Sequence, residues 1–339
     1  MAEPGFWQSR NHPLSLALSP LSLIYSGLEA ARRKLTKSQH PGRPVVCVGN
    51  LTAGGAGKTP TVRWLAERLA AQGNSPAILS RGRGGSEKGP LKVDRQTHHA
   101  THVGDEPLML AADWPVYIGA DRMQSLRLAV QDGADVLIKD DGFQNPSLAH
   151  HFNLIVVDGA SGLGNQRLLP SGPMRQPLSV ALERLDAVLV LGGAVHPSLA
   201  LLMDAVEAFS KPVFHGRVQA TGHGSGKVHG FCGIARPQKF QASLVAQGYE
   251  IAGFTSFADH HDFTEAEAAT LLAHDKPLIT TEKDMARLQG APADSARARL
   301  AAEAAVLPIA LEIADEAALL AAISCAIEDG QANQLYKSY

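Results

Sequence analysis

A glycine-rich turn that ends in Lys-Thr is the strongest chemical signal in the sequence. It follows an apolar run at residues 45–49 and opens a helical pattern, so it lies between a strand and a helix. Glycines let backbone N–H groups turn toward phosphate oxygens, and the helix N-terminus adds positive potential. In such a loop Lys58 reaches the β- and γ-phosphates, and Thr59 offers its hydroxyl to Mg²⁺. We therefore expect ATP to bind Thr52, Ala53, Gly54, Gly55, Ala56, Gly57, Lys58 and Thr59.

Two consecutive carboxylates, Asp140 and Asp141, follow another apolar run at residues 136–138. A carboxylate at the end of a strand beside a phosphate loop can hold Mg²⁺ directly or through water. The alternative is a solvated Asp-Asp-Gly turn. Because the phosphate loop precedes it, we interpret the pair as the magnesium side of a nucleotide site.

The elements that must position these groups alternate along the chain from residue 44 onward. The apolar runs are continuous rather than alternating, which is typical of strands covered on both faces of a parallel sheet. A helix is predicted at 59–72, where Val62, Leu65, Ala66 and Leu69 share one face. The first series of predicted strands is 45–49, 77–80, 116–118, 136–138, 154–157 and 187–191.

A second series begins after the Gly- and His-rich stretch 221–226, a plausible linker. We predict an α/β protein with an N-terminal interfacial segment (1–38), a P-loop kinase domain (39–221) and a smaller C-terminal α/β domain (222–339). In the second series the predicted strands are 228–234, 249–254, 277–281 and 307–313, and the predicted helices are 237–247, 264–273, 296–305 and 315–327.

Composition excludes several classes of protein. Among 339 residues, 45% are hydrophobic and 19% are charged, which is ordinary for a folded chain. The formal net charge of −2 gives no basic surplus to hold a polyanion, so nucleic acid is not expected as a partner. The three cysteines are far apart and form neither a disulfide framework nor a metal pair. The histidine pairs lack zinc-ligand spacing.

The N-terminal stretch 14–28 is apolar but short, and Pro20 interrupts it. A spanning helix needs about 20 apolar residues. The basic residues Arg32, Arg33, Lys34 and Lys37 follow, so we interpret the stretch as an interfacial helix that meets anionic lipid. The alternatives are a buried core helix and a cleaved signal peptide, and export would separate the phosphate loop from ATP.

Nine short segments together resemble the tetraacyldisaccharide 4′-kinase family, the lipid A 4′-kinases of Gram-negative bacteria. The matches run from near residue 7 to about 290, and their order and number make the resemblance specific. The segments are His12-Pro13-Leu14, Val48-Gly49-Asn50-Leu51-Thr52 running into Gly57-Lys58-Thr59-Pro60, Ser80-Arg81-Gly82, Gly104-Asp105-Glu106-Pro107, Asp140-Asp141-Gly142-Phe143-Gln144, Leu168-Leu169-Pro170-Ser171-Gly172-Pro173, Gly233-Ile234-Ala235-Arg236-Pro237, Phe257-Ala258-Asp259-His260-His261 and Thr280-Thr281-Glu282-Lys283-Asp284.

The resemblance implies transfer of the γ-phosphate of ATP to the 4′-hydroxyl of an acylated glucosamine disaccharide 1-phosphate, giving lipid IVA. It implies two Rossmann-like α/β/α units with a membrane-associated N-terminal helix, at the cytoplasmic face of the bacterial inner membrane. Lys58 and Thr59 would bind ATP and Mg²⁺, with Asp140 and Asp141 near the metal. Asp105 matches the family's presumed base. It is expected to work with His260, which Asp259 holds.

Four arginines are candidates for phosphate contacts, because guanidinium grips phosphate with two parallel bonds. They are Arg81, Arg122, Arg167 and Arg175. Glu106, Gln144 and Asp259, which lie in the family-like segments, complete the expected substrate contacts. The sequence departs from the family at Asn145, where His is usual, and at Arg83, where an aromatic is usual.

Two other functions remain open. A P-loop ATPase or GTPase switch would hydrolyse nucleotide without an acceptor. The loop resembles the GGxGKT variant of the MinD and nitrogenase iron proteins, but Ala53 replaces their extra Lys, and no NKxD guanine motif is evident. A kinase for a small soluble metabolite would not explain the apolar N-terminal helix. The role of Glu282-Lys283-Asp284 is left unassigned.

Overall fold

The continuous apolar runs form buried strands of one nine-stranded sheet. The structure is a computed structural model that describes residues 4–193 and 196–335. In order across the sheet, the strands are β13-β8-β7-β6-β1-β5-β2-β4-β3, and all neighbours are parallel except β13–β8 and β4–β3. The strands are β1 (Val45–Gly49), β2 (Pro76–Ser80), β3 (Leu91–Lys92), β4 (Val116–Ile118), β5 (Val136–Asp140), β6 (Phe152–Asp158), β7 (Ala187–Leu191), β8 (Val213–Ala220) and β13 (Ile309–Ile313).

A second, four-stranded sheet is parallel throughout, in the order β10-β9-β11-β12. Its strands are β9 (Lys227–Cys232), β10 (Glu250–Ser256), β11 (Leu278–Thr281) and β12 (Ala305–Leu307). Phe231, Phe263 and Leu271 belong to the apolar core on one side of this sheet. The predicted α/β class with two units is therefore confirmed.

Thirteen helices lie within the described residues, besides a 3-10 turn at Gly5–Gln8. They are α1 (Pro13–Ala17), α2 (Ser19–Leu35), α3 (Lys58–Ala71), α4 (Ala100–Val103), α5 (Asp105–Leu110), α6 (Arg122–Gln131), α7 (Leu178–Leu182), α8 (Ser198–Ala208), α9 (Pro237–Ala246), α10 (Glu265–Leu272), α11 (Glu282–Leu288), α12 (Ala296–Glu303) and α13 (Glu316–Leu335).

Both faces of the large sheet are covered. Val46, Val48 and Ile138 pack on one face with side chains of α3 and α13. Cys47 and Ile155 face the opposite side with residues of α7 and α8. This coverage explains why the strands read as unbroken apolar runs rather than alternating ones.

Three strand assignments differ from the prediction, and the first is β3, a two-residue strand at the edge of the large sheet that was not predicted. β8 was missed because only Phe214 and Ala220 of its side chains are buried, and it pairs on one side with the edge strand β13. The single strand predicted at 307–313 is two strands in different sheets, separated by Pro308. Proline lacks the N–H that a continuing strand would need.

The last strand and helix therefore return to the large sheet, and Leu319, Ile323 and Ile327 of α13 join its core. The division into 1–38, 39–221 and 222–339 stays a prediction about domains, and residues 1–3 and 336–339 lie outside the described residues. By sheet membership, the small unit spans β9 to β12.

The N-terminal stretch is helical, as predicted, and it turns its serine face toward the large unit. Ser15 and Ser22 are buried, whereas Leu23 and Leu28 are 75% and 66% exposed. The Ser22 hydroxyl donates to Leu168 O at 2.8 Å and the Ser15 hydroxyl to Ser171 O at 2.7 Å, so polar groups hold α1 and α2 to the large unit. No helix in residues 4–193 and 196–335 is long and apolar enough to cross a bilayer.

Candidate active site

The glycine-rich turn follows β1 and leads into α3 in the predicted order. Gly57 has a φ of 87°, and a Cβ there would collide with Leu191 Cδ1, so glycine is required at this point. Asn50 Nδ2 donates to Thr52 O at 2.6 Å and stabilises the start of the loop. The Ala53 amide donates to Pro173 O at 2.7 Å, so this N–H is engaged by the loop 168–175.

Asp140 and Asp141 lie beside the loop because β1 and β5 are neighbours, with Val48 opposite Asp140. The carboxyl ends of parallel strands meet at one edge of a sheet. Asp141 Oδ1 lies 3.5 Å from Lys58 Nζ and 2.8 Å from Arg175 Nη1. Burial raises the pKa of Asp141, but the two cations outweigh it and the net pKa is lowered.

Asp140 has a different environment. It is 2% exposed, and its Oδ1 is buried without a hydrogen-bond partner. Burial, together with the negative charge of Glu106, raises the pKa of Asp140 to about 7. A buried carboxylate oxygen that lacks a hydrogen-bond partner and lies beside a phosphate loop is a suitable ligand for a hard cation. Within the described residues, no three His, Cys, Asp or Glu side chains form a metal cage by themselves.

Glu106 and Asp105 open α5, directly after Gly104. Gly104 has a φ of 91°, and a Cβ there would collide with Arg83 O, so the turn into α5 requires glycine. Glu106 Oε1 lies 3.4 Å from Thr59 Oγ1, and Lys283 Nζ from the small unit donates to the same oxygen at 3.1 Å. The predicted substrate contact Glu106 therefore lies between the phosphate loop and the second unit.

Asp105 joins the two units. His260 Nδ1 lies 3.0 Å from its Oδ2, and Arg287 Nε donates to the same oxygen at 2.7 Å. Burial raises the pKa of Asp105, but the hydrogen bond of His260 and the charge of Arg287 outweigh it, so the net pKa is lowered. His260 has a φ of 59°, a rare conformation for a side-chain-bearing residue. Asp259 Oδ2 is 3.9 Å from His260 Nε2, too far for a hydrogen bond.

The remaining candidates divide by location. Gln144 Nε2 donates to Asn50 O at 2.8 Å and so holds the start of the loop. Arg167 Nη1 donates to Ser19 Oγ at 3.0 Å, which places it at the N-terminal helices. Arg122 is 3% exposed and donates to Gly119 O, while Arg81 is close enough to lower the pKa of Arg122 further, after burial has lowered it.

Arg287 is the main site residue that the sequence did not reveal. Its side chain is 4% exposed and contacts both Asp105 and Asp284, the second at 2.8 Å. The only signal is its position three residues after Asp284 on one helical face. Arg63 was missed as well, although it binds Glu282 across the two units at 2.9 Å.

Known proteins match this chain over most of its length. The tetraacyldisaccharide 4′-kinase of Parvibaculum lavamentivorans is 46% identical over 338 residues, covering 96% of this chain and 98% of the relative. The same enzyme of Bradyrhizobium sp. strain BTAi1 is 45% identical over 300 residues, covering 86% of each chain. These matches confirm the resemblance that the motifs predicted.

The fold matches a solved structure as well. The crystal structure of LpxK from Aquifex aeolicus, described as an "apo" form in complex with ATP, superposes with a TM-score of 0.72 at 27% identity. The match covers 93% of this chain and 99% of the other. A family model, tetraacyldisaccharide-1-P 4′-kinase, matches residues 14–328. The chain belongs to the tetraacyldisaccharide-1-P 4′-kinase family.

Proposed function

We propose that this protein transfers the γ-phosphate of ATP to the 4′-hydroxyl of a tetraacyldisaccharide 1-phosphate. The observation that carries the proposal is the position of Asp105, one residue from the carboxylate that contacts Thr59 of the phosphate loop. A protein that only hydrolyses nucleotide needs no base for an alcohol. A kinase needs one within reach of the acceptor hydroxyl.

The geometry leaves one oxygen of Asp105 for this task. His260 and Arg287 both bind Oδ2, so Oδ1 carries neither of these contacts. Because the net pKa of Asp105 is lowered, the carboxylate is ionised at neutral pH. Such a weak base suffices, because phosphoryl transfer is loose and the hydroxyl loses its proton late.

The phosphate end would rest on the loop 52–59 and Lys58. Mg²⁺ fits beside it, because Asp140 Oδ1 is buried without a partner and Thr59 lies next to Glu106. Thr59, Asp140 and Asp141 would hold the ion, which would neutralise phosphate charge. Arg175 keeps Asp141 ionised at this position.

The reaction balances without a further reactant. The acceptor oxygen forms a bond to the γ-phosphorus, and the bond from that phosphorus to the β-phosphate oxygen breaks, so ADP leaves with the electron pair. The hydroxyl proton passes to Asp105 Oδ1. Arg287 and His260 hold the carboxylate in position through its other oxygen, Oδ2.

The N-terminal helices would seat the enzyme on the membrane. Between residues 14 and 28, six large apolar side chains of α1 and α2 are exposed, whereas Ser15 and Ser22 are buried, and a basic cluster follows them. Such a surface enters the headgroup boundary without spanning the bilayer. ATP and anionic lipid are both available at the cytoplasmic face, where we place the enzyme. The side chains are Leu14, Leu16, Leu21, Leu23, Ile24 and Leu28.

The deciding experiment follows labelled γ-phosphate from ATP to a tetraacyldisaccharide 1-phosphate dispersed in detergent. Wild type should label the lipid, whereas Lys58→Ala should lose transfer by roughly 10²-fold or more, because phosphate charge is left uncompensated. Lys276→Ala is the matched control, since Lys276 pairs with its sequence neighbour Asp275. Release of phosphate by wild type without labelled lipid would favour a switch ATPase instead.

A further inference from the structure

The segment at the start of α11 lies against the phosphate-loop unit. Glu282 binds Arg63 of α3, and Asp284 accepts from Gly233 N at 3.0 Å and from Arg287 at 2.8 Å. These two neighbours of Lys283 therefore have structural partners. Lys283 instead extends toward Glu106 beside Thr59, in the cleft between the two sheets.

Local physics does not favour a lysine at this position. Thr281 caps α11 by accepting from Asp284 N, so Lys283 lies in the first turn of the helix. The unpaired N–H groups there carry positive potential, which favours acidic residues and disfavours a cation. Residues that break a local rule are expected at functional sites.

Two lysines converge on the same carboxylates from opposite sides. Lys58 comes from the phosphate loop and Lys283 from the small unit. Burial raises the pKa of Glu106, but the charges of these two ammonium groups lower it overall. The same two lysines also act on Asp140, in opposition to burial. Converging cations repel each other, so this arrangement suits a ligand that carries several negative charges.

The contact between Lys283 and Glu106 is easily exchanged. Their side chains are 35% and 38% exposed, and an ion pair with that exposure adds little to stability. A phosphate oxygen could replace the carboxylate at little cost. Moreover, Ala53 occupies the loop position where a related class of phosphate loops carries its second lysine.

We propose that Lys283 is a second phosphate-contacting cation, which leaves Glu106 and donates to the phosphoryl group during its transfer. The small unit thereby supplies in cis the charge that other P-loop enzymes obtain from an additional lysine or an arginine finger. This inference rests on the proposed kinase reaction and assigns one further catalytic residue to it.

The experiment compares Lys283→Met and Lys283→Arg with wild type, with Lys276→Met as the matched surface control. Lys283→Met should lower kcat roughly 10²–10³-fold with little change in ATP affinity, because the contact belongs to the transferring group. Lys283→Arg should recover a large part of the loss. Far-UV circular dichroism and ATP binding establish that each variant is folded.

A second measurement separates phosphate contact from a structural role. ADP with Mg²⁺ and aluminium fluoride mimics the transferring phosphoryl group and contains no lipid phosphate. Lys283→Met should weaken its binding at least tenfold, while Glu106→Gln should weaken it less. Tight binding of this mimic by Lys283→Met would assign the lysine to the lipid 1-phosphate or to structure, and would overturn the proposal.

Two other results would also overturn it. The first is a kcat within twofold of wild type in Lys283→Met. The second is an equal loss in Glu106→Gln, Lys283→Met and the double variant, because the lysine would then act only through Glu106. Failure of wild type itself to label lipid would refute the kinase proposal rather than this one.

Discussion

The two sides of the cleft are built in different ways. On the large-sheet side, Asp140 is the last residue of buried β5, and Lys58 opens α3 after the loop that follows buried β1, so regular elements of the large unit position both. On the small-sheet side, Arg287, His260 and Lys283 reach across the gap with their side chains. The first half is therefore preformed, and the second half depends on the two units remaining close.

The difference also appears in the electrostatics. Arg287 is buried, and its guanidinium forms ion pairs with Asp105 of the large unit and with Asp284 of the small unit. Breaking a buried pair leaves a charge without compensation and costs several kcal/mol. The preformed side instead has its unsatisfied group at Asp140, which an incoming cation would complete. The small-sheet side therefore has its charges paired, whereas the large-sheet side keeps one buried carboxylate oxygen for a cation.

The largest expected effect tests whether the crossing side chains serve a base. Asp105→Asn should lower kcat by roughly 10²–10⁴-fold while ATP still binds, because the amide cannot take the hydroxyl proton. The measurement is labelled phosphate transfer to the lipid acceptor, alongside ATP affinity. Asp262→Asn is the matched control, since Asp262 is 70% exposed and pairs with Arg297. Near-normal turnover in Asp105→Asn would mean that the contacts of Asp105 with the small-sheet side stabilise the fold and that Asp105 is not the base.

Sequence reasoning located the candidate groups that lie in consecutive residues. The phosphate loop, the Asp140–Asp141 pair and most strands could be predicted because each is a local pattern on a buried element. Contact between Asp105 and His260 was expected only through resemblance to a family, since 155 positions separate them. Arg287 and Lys283 lie about 180 residues from their partners, and no local pattern indicates such a contact.

The docked face of the N-terminal helices can be read from the sequence. Ser15, Ser19 and Ser22 recur at helical spacing and mark one polar face, the face that meets residues 168–171. Hydropathy alone predicts an apolar helix and not which face is exposed. β8 and β13 were misjudged for the related reason that continuous apolar runs identify only strands covered on both faces.

A smaller effect concerns how stability depends on pH at Asp140 and Asp141, two carboxylates of the large-sheet side. Burial raises the pKa of Asp140 to about 7, so its protonated form stabilises the metal-free fold. This stabilisation is fully present below pH 3.8, the ordinary pKa of an Asp side chain, and is lost as pH rises through 7. Without Mg²⁺, the unfolding free energy of Asp140→Asn minus that of wild type should therefore rise by about 1–4 kcal/mol as pH is raised from 5 to 8.

The neighbouring carboxylate provides the control, because its sign is opposite. The pKa of Asp141 is lowered by Lys58 and Arg175 against burial, so its stabilisation is present above the ordinary value and is lost on acidification. Asp141→Asn should cost stability at neutral pH and converge with wild type toward acid. Urea denaturation at several pH values measures both variants. Parallel pH curves for Asp140→Asn and wild type would show that the buried carboxylate is not strained.

The smallest expected effect tests whether the large-sheet side alone contacts the membrane. Leu23 and Leu28 are highly exposed on α2, whose serine face docks on the large unit. Replacing both by Ser removes apolar area from the bilayer contact and should weaken binding to anionic vesicles roughly tenfold, about 1.4 kcal/mol.

Val245→Ser, at a 61% exposed position on the small unit, should not change vesicle binding. Ser22→Ala should lower stability but not partitioning, because that hydroxyl faces Leu168 O and not lipid. If Val245→Ser weakened vesicle binding as much as the leucine changes, the small unit would touch the membrane too, and the two sides would share the lipid surface.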